Sequence, residues 1–219
     1  MKCYEKNIHE TMQGFPELRR NREANYYAAF SLLTKDMHAR DRRKVVFEHF
    51  EKSINRENEF QCDENYKVSQ ELMSVLDEAR ELLELLVNWC DLCLPANEQS
   101  FAEAHRLKVQ DFQDYLSSGL SAVLNGLNEI NQSIEKRAHT LGKLFYTKDV
   151  LPINHGGWEK AYRQLLVHTE TNFYLAMSKS WEKALEDYLL YWNYWRQNLE
   201  NSDMVIGDSR KTSHNNYFG

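Results

Sequence analysis

Between Pro16 and Pro95 the sequence contains neither proline nor glycine, and this uninterrupted stretch limits the folds that the chain can adopt. Tight turns depend on these two residue types, and the whole chain of 219 residues has 8 glycines and 3 prolines. Sandwiches, barrels and propellers need a turn about every dozen residues, so the composition argues against all three. The chain is expected to consist of long helices.

Apolar residues recur every three or four positions along four segments, as they do on the buried face of a helix. The segments span about residues 17–58, 65–94, 98–148 and 157–201. The second segment shows the pattern most clearly, in the row Val68, Leu72, Val75, Ala79, Leu82, Leu86, Trp89 and Cys93. These faces predict an all-α fold, an elongated antiparallel four-helix bundle with coiled-coil-like packing.

The same patterns predict the domain organisation. Residues 1–201 are expected to form a single helical-bundle domain, and the glycine-containing turn at 152–157 reverses the chain between the third and fourth helices. The polar residues 202–219 show no periodicity, so we expect a flexible C-terminal tail.

The first predicted helix has an irregularity in a basic run. Its apolar row passes through Arg40 and Lys44, so either the helix kinks there or the long side chains lie across the bundle with their charges in water. The run also includes Arg42 and Arg43, and it is one candidate interaction surface. Nucleic acid is not the expected partner, because the chain carries a net charge of −6 that repels phosphates.

The end of the fourth helix is unusually rich in aromatic residues. The predicted seam, meaning the row of positions that face the core, begins at Tyr162 and passes through Thr169. It later includes the four rings Trp181, Tyr188, Tyr191 and Trp195. Leu190, Trp192 and Tyr194 are left pointing partly away from that seam. Either a broad core absorbs them or they form an exposed patch, and such patches mark interfaces with proteins or with apolar surfaces.

The sequence offers no clear catalytic or metal-binding constellation, and no cofactor is expected. Cys90 and Cys93 form a Cys-x-x-Cys pair at the end of a helix, where the helix dipole opposes a thiolate and where both residues fit the apolar face. No Glu-x-x-His spacing of the kind that builds a carboxylate-bridged metal centre occurs among the eight histidines.

One short string resembles a known enzyme family. Gln110-Asp-Phe-Gln-Asp114 is similar to the sequence around the catalytic helix of the CheZ-type chemotaxis phosphatases, which are also elongated helical bundles. The resemblance implies that Asp114 would be the acid that orients water against an aspartyl phosphate. Ser118 stands where that family has the water-positioning glutamine, and the string covers only five residues.

These observations favour a non-catalytic scaffold that acts by binding another protein or by self-association. The alternative is a peripheral coat on lipid or on polymer granules, as in phasin-like or membrane-shaping bundles, which the long amphipathic helices permit. An enzyme of the CheZ type or a cofactor-binding bundle ranks below both. We expect a cytoplasmic location, since the chain begins without a signal-like apolar segment and contains no stretch long enough to span a membrane.

Overall fold

The computed structural model describes residues 2–56, 63–93, 103–150 and 156–199, and within these ranges the chain is almost entirely helical and has no strand. The described residues form five helices: α1 Lys2–Ala29, α2 Ala39–Arg56, α3 Asp63–Cys93, α4 Glu103–Val150 and α5 Gly156–Asn198. The all-α prediction is confirmed. The predicted tail, residues 202–219, lies outside the described residues.

The helices pack as a four-helix bundle in which two consecutive helices, α1 and α2, together fill one of the four positions. Among the described helices, α5 alone contacts the other four, and α4 packs between α5 and α3. Helices α1 and α2 follow one another along α5, so that the two together match the length of that one long helix. Because α1 also reaches α3, the bundle is closed on the side where α1 lies.

The prediction of one continuous helix over residues 17–58 was wrong. The chain leaves the helical path between α1 and α2, where turns join Phe30 to Leu33 and Thr34 to Met37. His38 accepts the first backbone hydrogen bonds of α2. This break resets the phase of the helix, so that Val46, Phe50 and Ile54 are buried on α5 while Arg40 and Lys44 face solvent.

Pro16, which stands immediately before the first predicted helical segment, lies inside α1 and not at its start. A proline in a helix removes one backbone hydrogen bond, so another interaction must hold the helix together there. Ile8, Met12 and Phe15 provide it, because all three are buried, and the Phe15 ring packs edge-on against Tyr188 of α5. Tertiary packing therefore holds α1 together on the N-terminal side of the proline, as far as Ile8.

A side chain of α5 packs directly against a glycine of α4. A Cβ atom added at Gly119 would overlap the hydroxyl oxygen of Tyr191, whose side chain is buried and has little room to move. Gly126 makes a looser contact of the same kind, with Leu76 and Ser180 around it. Gly142, by contrast, has no neighbouring atom within 4 Å of the added Cβ position.

Gly119→Ala is therefore expected to lower the free energy of unfolding by about 1–3 kcal/mol through overpacking. Gly142→Ala, the matched control, should raise it by about 0.5–1 kcal/mol, because alanine is the better helix former. Urea unfolding followed by circular dichroism measures both. The double variant Gly119→Ala/Tyr191→Phe should recover only part of the loss, because the Cζ atom of the ring also lies 2.8 Å from the added Cβ position. A Gly119→Ala protein as stable as Gly142→Ala would contradict the close contact with Tyr191.

Candidate protein-interaction surface

The aromatic cluster at the end of α5 is divided between the core and the surface. Its buried rings are the four that the predicted seam contains, Trp181, Tyr188, Tyr191 and Trp195. Of the three remaining residues, Leu190 is 49% exposed, whereas Trp192 and Tyr194 are half-buried and pack against the core from its edge. The cluster thus fills the bundle on one side and presents apolar surface on the other.

Tyr194 ties the surface of α5 to that of α4. Its ring stacks on Phe112 with a centroid separation of 5.4 Å and an angle of 3°, and it lies equally close to Tyr115. Its hydroxyl donates a hydrogen bond of 3.0 Å to the backbone carbonyl of Lys108. Partial burial raises the pKa of Tyr194, and the Asp111 carboxylate adds to the effect. The phenol therefore stays protonated and acts as a fixed donor.

Trp192 lies on the other flank of α5. The guanidinium of Arg196 sits 4.9 Å from its ring centroid, a cation–π contact across one helical turn. The three residues that the sequence placed outside the seam, Leu190, Trp192 and Tyr194, therefore do not form one group. Trp192 lies on one side of the exposed face of α5, and Tyr194 lies on the other.

Exposed apolar residues lie around the half-buried Tyr194, and we call the four residues Leu107, Tyr115, Leu190 and Tyr194 the distal patch. Leu190 precedes Tyr194 by one helical turn, Tyr115 contacts the Tyr194 ring, and Leu107 adjoins the residue to which that hydroxyl is bonded. Leu107, Tyr115 and Leu190 are each close to half exposed. Grouped apolar side chains of this kind are typical of binding surfaces.

The basic run at the start of α2 does not form one surface. Arg42 points towards α5, where its guanidinium donates to the Glu182 carboxylate at 2.8 Å and to the carbonyl of Met37 at 3.1 Å. Arg40, Arg43 and Lys44 are exposed instead.

Arg42 belongs to a polar cluster that fixes the corner between α1 and α2. The Tyr26 hydroxyl lies 2.9 Å from the Ser178 hydroxyl and donates to the same Glu182 carboxylate. Burial raises the pKa of Tyr26 to about 12, and the contact with Glu182 contributes. This arrangement makes Arg42 a structural residue of the corner, which leaves three cations of the run to solvent.

A second exposed apolar group, at the start of α5, was missed by the sequence reasoning. Trp158 is 57% exposed and stacks on Tyr162, with ring centroids 6.4 Å apart, and Leu165 lies on the same face. The signal was available, because these residues follow the i, i+4, i+7 spacing of a helix face outside the buried row. Of these three residues, only Tyr162 belongs to the predicted seam.

A buried ionic cluster was missed as well. Glu170 of α5 is fully buried, forms an ion pair with Arg137 of α4 and accepts a hydrogen bond of 2.6 Å from the Asn65 amide of α3. Burial raises the pKa of Glu170, while Arg137 and Asn65 lower it. Thr169, a member of the predicted seam, is only half-buried, and its neighbour Glu170 faces the core instead.

The structure also locates residues that were considered for metal binding and catalysis. No group of three or more histidine, cysteine, aspartate or glutamate side chains that could hold a metal ion occurs in the described part of the chain. Cys90 is buried, and the side chain of Cys93 lies outside the description. In the CheZ-like string Asp114 is exposed on α4, as is Ser118 one turn later.

Comparisons with known proteins show a likeness in fold only. No family model matches the sequence, and no curated protein matches it. The structure is similar to the crystal structure of the 11S subunit of the Plasmodium falciparum proteasome, PA28. The TM-score is 0.61 at 10% sequence identity, over 90% of this chain and 88% of that chain. Within the described residues, no helix is apolar enough over a sufficient length to cross a membrane. The chain therefore shares the helical architecture of a protein that is itself a subunit of a larger assembly.

Proposed function

We propose that the protein is a non-catalytic helical-bundle scaffold that acts through protein–protein binding, with the distal patch as its contact surface. The observation that carries the proposal is the grouping of Leu107, Tyr115 and Leu190 around Tyr194 on one flank of the bundle. An interface needs apolar anchors held in fixed positions, and the stacking and hydrogen bond of Tyr194 provide that rigidity.

The fold comparison supports a protein-binding role over a catalytic one. The solved structure with a similar fold is described as a subunit of the proteasome, so its architecture serves within a protein assembly. The exposed cations Arg40, Arg43 and Lys44 lie on α2, away from the distal patch, and they could add charge steering for an acidic partner. The cytoplasmic location stays a prediction.

Leu190→Ser and Tyr115→Ser are expected to weaken binding at least about tenfold each, because either removes an apolar anchor from the centre of the patch. Leu124→Ser is the matched control, since Leu124 is equally exposed on α4 but points away from the patch. The measurement is affinity capture from cell extract with tagged protein, together with sedimentation of the purified chain. Each variant should keep the unfolding midpoint of the unmodified protein, because its side chain is near the surface.

Three results would contradict the proposal. Capture and self-association that are equal in Leu190→Ser, Tyr115→Ser and the Leu124→Ser control would place the interface elsewhere. Flotation of the protein with neutral vesicles, lost on Leu190→Ser, would instead identify the patch as a lipid contact. A protein that is monomeric and captures nothing would remove the binding role altogether.

A further inference from the structure

A straight line of residues, which we call the α5 stripe, runs along the outer flank of α5 beside α4. Trp158, Ala176 and Tyr194 are each about five turns apart, so a helix of 3.6 residues per turn places them in register. The full stripe contains residues at every third or fourth position between them: Tyr162, Leu165, Thr169, Asn172, Ser180, Lys183, Asp187 and Leu190. It joins the exposed aromatic group at the start of α5 to the distal patch at its end.

The two apolar ends of the α5 stripe are matched about its midpoint, Ala176. Trp158 lies as far before Ala176 as Tyr194 lies after it, and Tyr162 is matched in the same way by Leu190. Both ends of the stripe are therefore apolar and partly exposed, and the middle has small side chains. Its charged residues, Lys183 and Asp187, form an ion pair with each other, so the stripe is neutral in a chain of net charge −6.

The surface beside the middle of the stripe is hollowed. Two open hollows, of about 270 and 260 Å³, lie between α4 and α5 and share Glu129 on their border. Small residues create them, among them Gly126 on α4 and Ala176 on α5. A helix packs into a groove of this kind when small side chains let the backbones approach.

We propose that a second copy of this chain covers the α5 stripe, with the two α5 helices antiparallel and the two-fold axis passing Ala176. An isologous contact requires a self-complementary surface, and an antiparallel pairing at this point sets Trp158 of each copy against Tyr194 of its mate. Tyr162 meets Leu190 in the same way, and each α5 lies over the hollows of the other copy. The inference rests on the proposed function, because the distal patch forms one end of the stripe.

The two-fold axis gives the proposal a direct test. In the variant Ala176→Cys each new thiol faces its own mate, so mild oxidation should produce a disulfide-linked dimer on a non-reducing gel. Ala24→Cys, at an exposed alanine of α1, is the matched control, and the unmodified protein measures the background from the native cysteines. Cross-linking should be at least about tenfold faster for Ala176→Cys than for Ala24→Cys.

Sedimentation equilibrium supplies a second, independent measurement. Trp158→Ser and Tyr194→Ser should each raise the dimer dissociation constant at least about tenfold, although the two residues lie at opposite ends of α5, and Leu124→Ser should leave it unchanged. A strictly monomeric protein, a ring larger than a dimer, or equal cross-linking at residues 176 and 24 would overturn the inference. If the protein is monomeric but still captures a partner in a Leu190-dependent way, the proposed function stands and only the second copy is rejected.

Discussion

Arg137→Met is expected to lower the free energy of unfolding by about 3–5 kcal/mol at neutral pH, because it leaves a buried carboxylate without its cation. The Glu170 side chain is fully buried, and its remaining partner, the Asn65 amide, is neutral. Methionine preserves much of the arginine stem, so the loss reports mainly on the missing charge. The measurement is a urea unfolding curve, with Lys136→Met as the control because Lys136 is exposed on the preceding position of α4.

The pH dependence distinguishes a charge effect from a packing effect. Burial raises the pKa of Glu170 above its ordinary value of 4.5. A carboxyl group of this kind contributes most stability when it is protonated, below the unfolded pKa, and that contribution is lost as the pH rises through the folded pKa. Removing Arg137 raises the folded pKa further, so the loss of stability in Arg137→Met should grow from acid to neutral pH.

The double variant Arg137→Met/Glu170→Gln is the control for this dependence. Without an ionisable group at residue 170, the difference between the double variant and Glu170→Gln should not change with pH. A destabilisation by Arg137→Met that is the same at acid and at neutral pH would show that Arg137 acts through packing alone.

The sequence predicted the helical architecture well where packing is regular. In α3, α4 and α5 a long row of apolar residues faces the core at every third or fourth position, and such a row is visible without any knowledge of neighbouring helices. The buried Glu170 could not be found in this way. A glutamate in a buried row is stable only because Arg137 and Asn65 approach it from two other helices, and their positions depend on the tertiary fold.

The local sequence gives only a weak indication of the break between α1 and α2. Residues 30–38 contain no glycine or proline, and Ser31, Thr34 and Asp36 are merely poor helix formers. What ends α1 is the burial of Phe30 and Leu33 against the bundle. At Pro16 tertiary packing has the opposite effect, because it preserves a helix that the local sequence alone would interrupt.

The candidate surface was predictable only on the side of α5. The sequence separated Leu190 and Tyr194 from the buried rings because they are out of phase with the seam. Their partners on α4, Phe112 and Tyr115, could not be named, because the pairing of residues on two helices depends on their relative register. The contact of Tyr191 with Gly119 is one feature of that register, and no periodic pattern reveals it.

Phe173→Ala and Leu190→Ala should separate the core of α5 from its surface. The Phe173 side chain is 2% exposed, so its truncation should cost about 3–5 kcal/mol through the lost transfer free energy and the cavity that remains. Leu190→Ala removes a half-exposed side chain, and a change within about 0.5 kcal/mol is expected. Trp192→Ala should fall between them, because the Trp192 ring is half-buried against the core and contacts Arg196. Denaturant midpoints of the three variants give this order.

The unfolding midpoints of these variants also decide whether the distal patch is a binding surface or part of the core. A binding surface must keep its shape when the partner is absent, so Leu190→Ala should weaken association while leaving the unfolding midpoint in place. If Leu190→Ala instead destabilises the protein as much as Phe173→Ala, Leu190 is part of the core. The apolar surface of α5 would then reduce to the group around Trp158, and the exposed cations Arg40, Arg43 and Lys44 would become the next place to seek a partner.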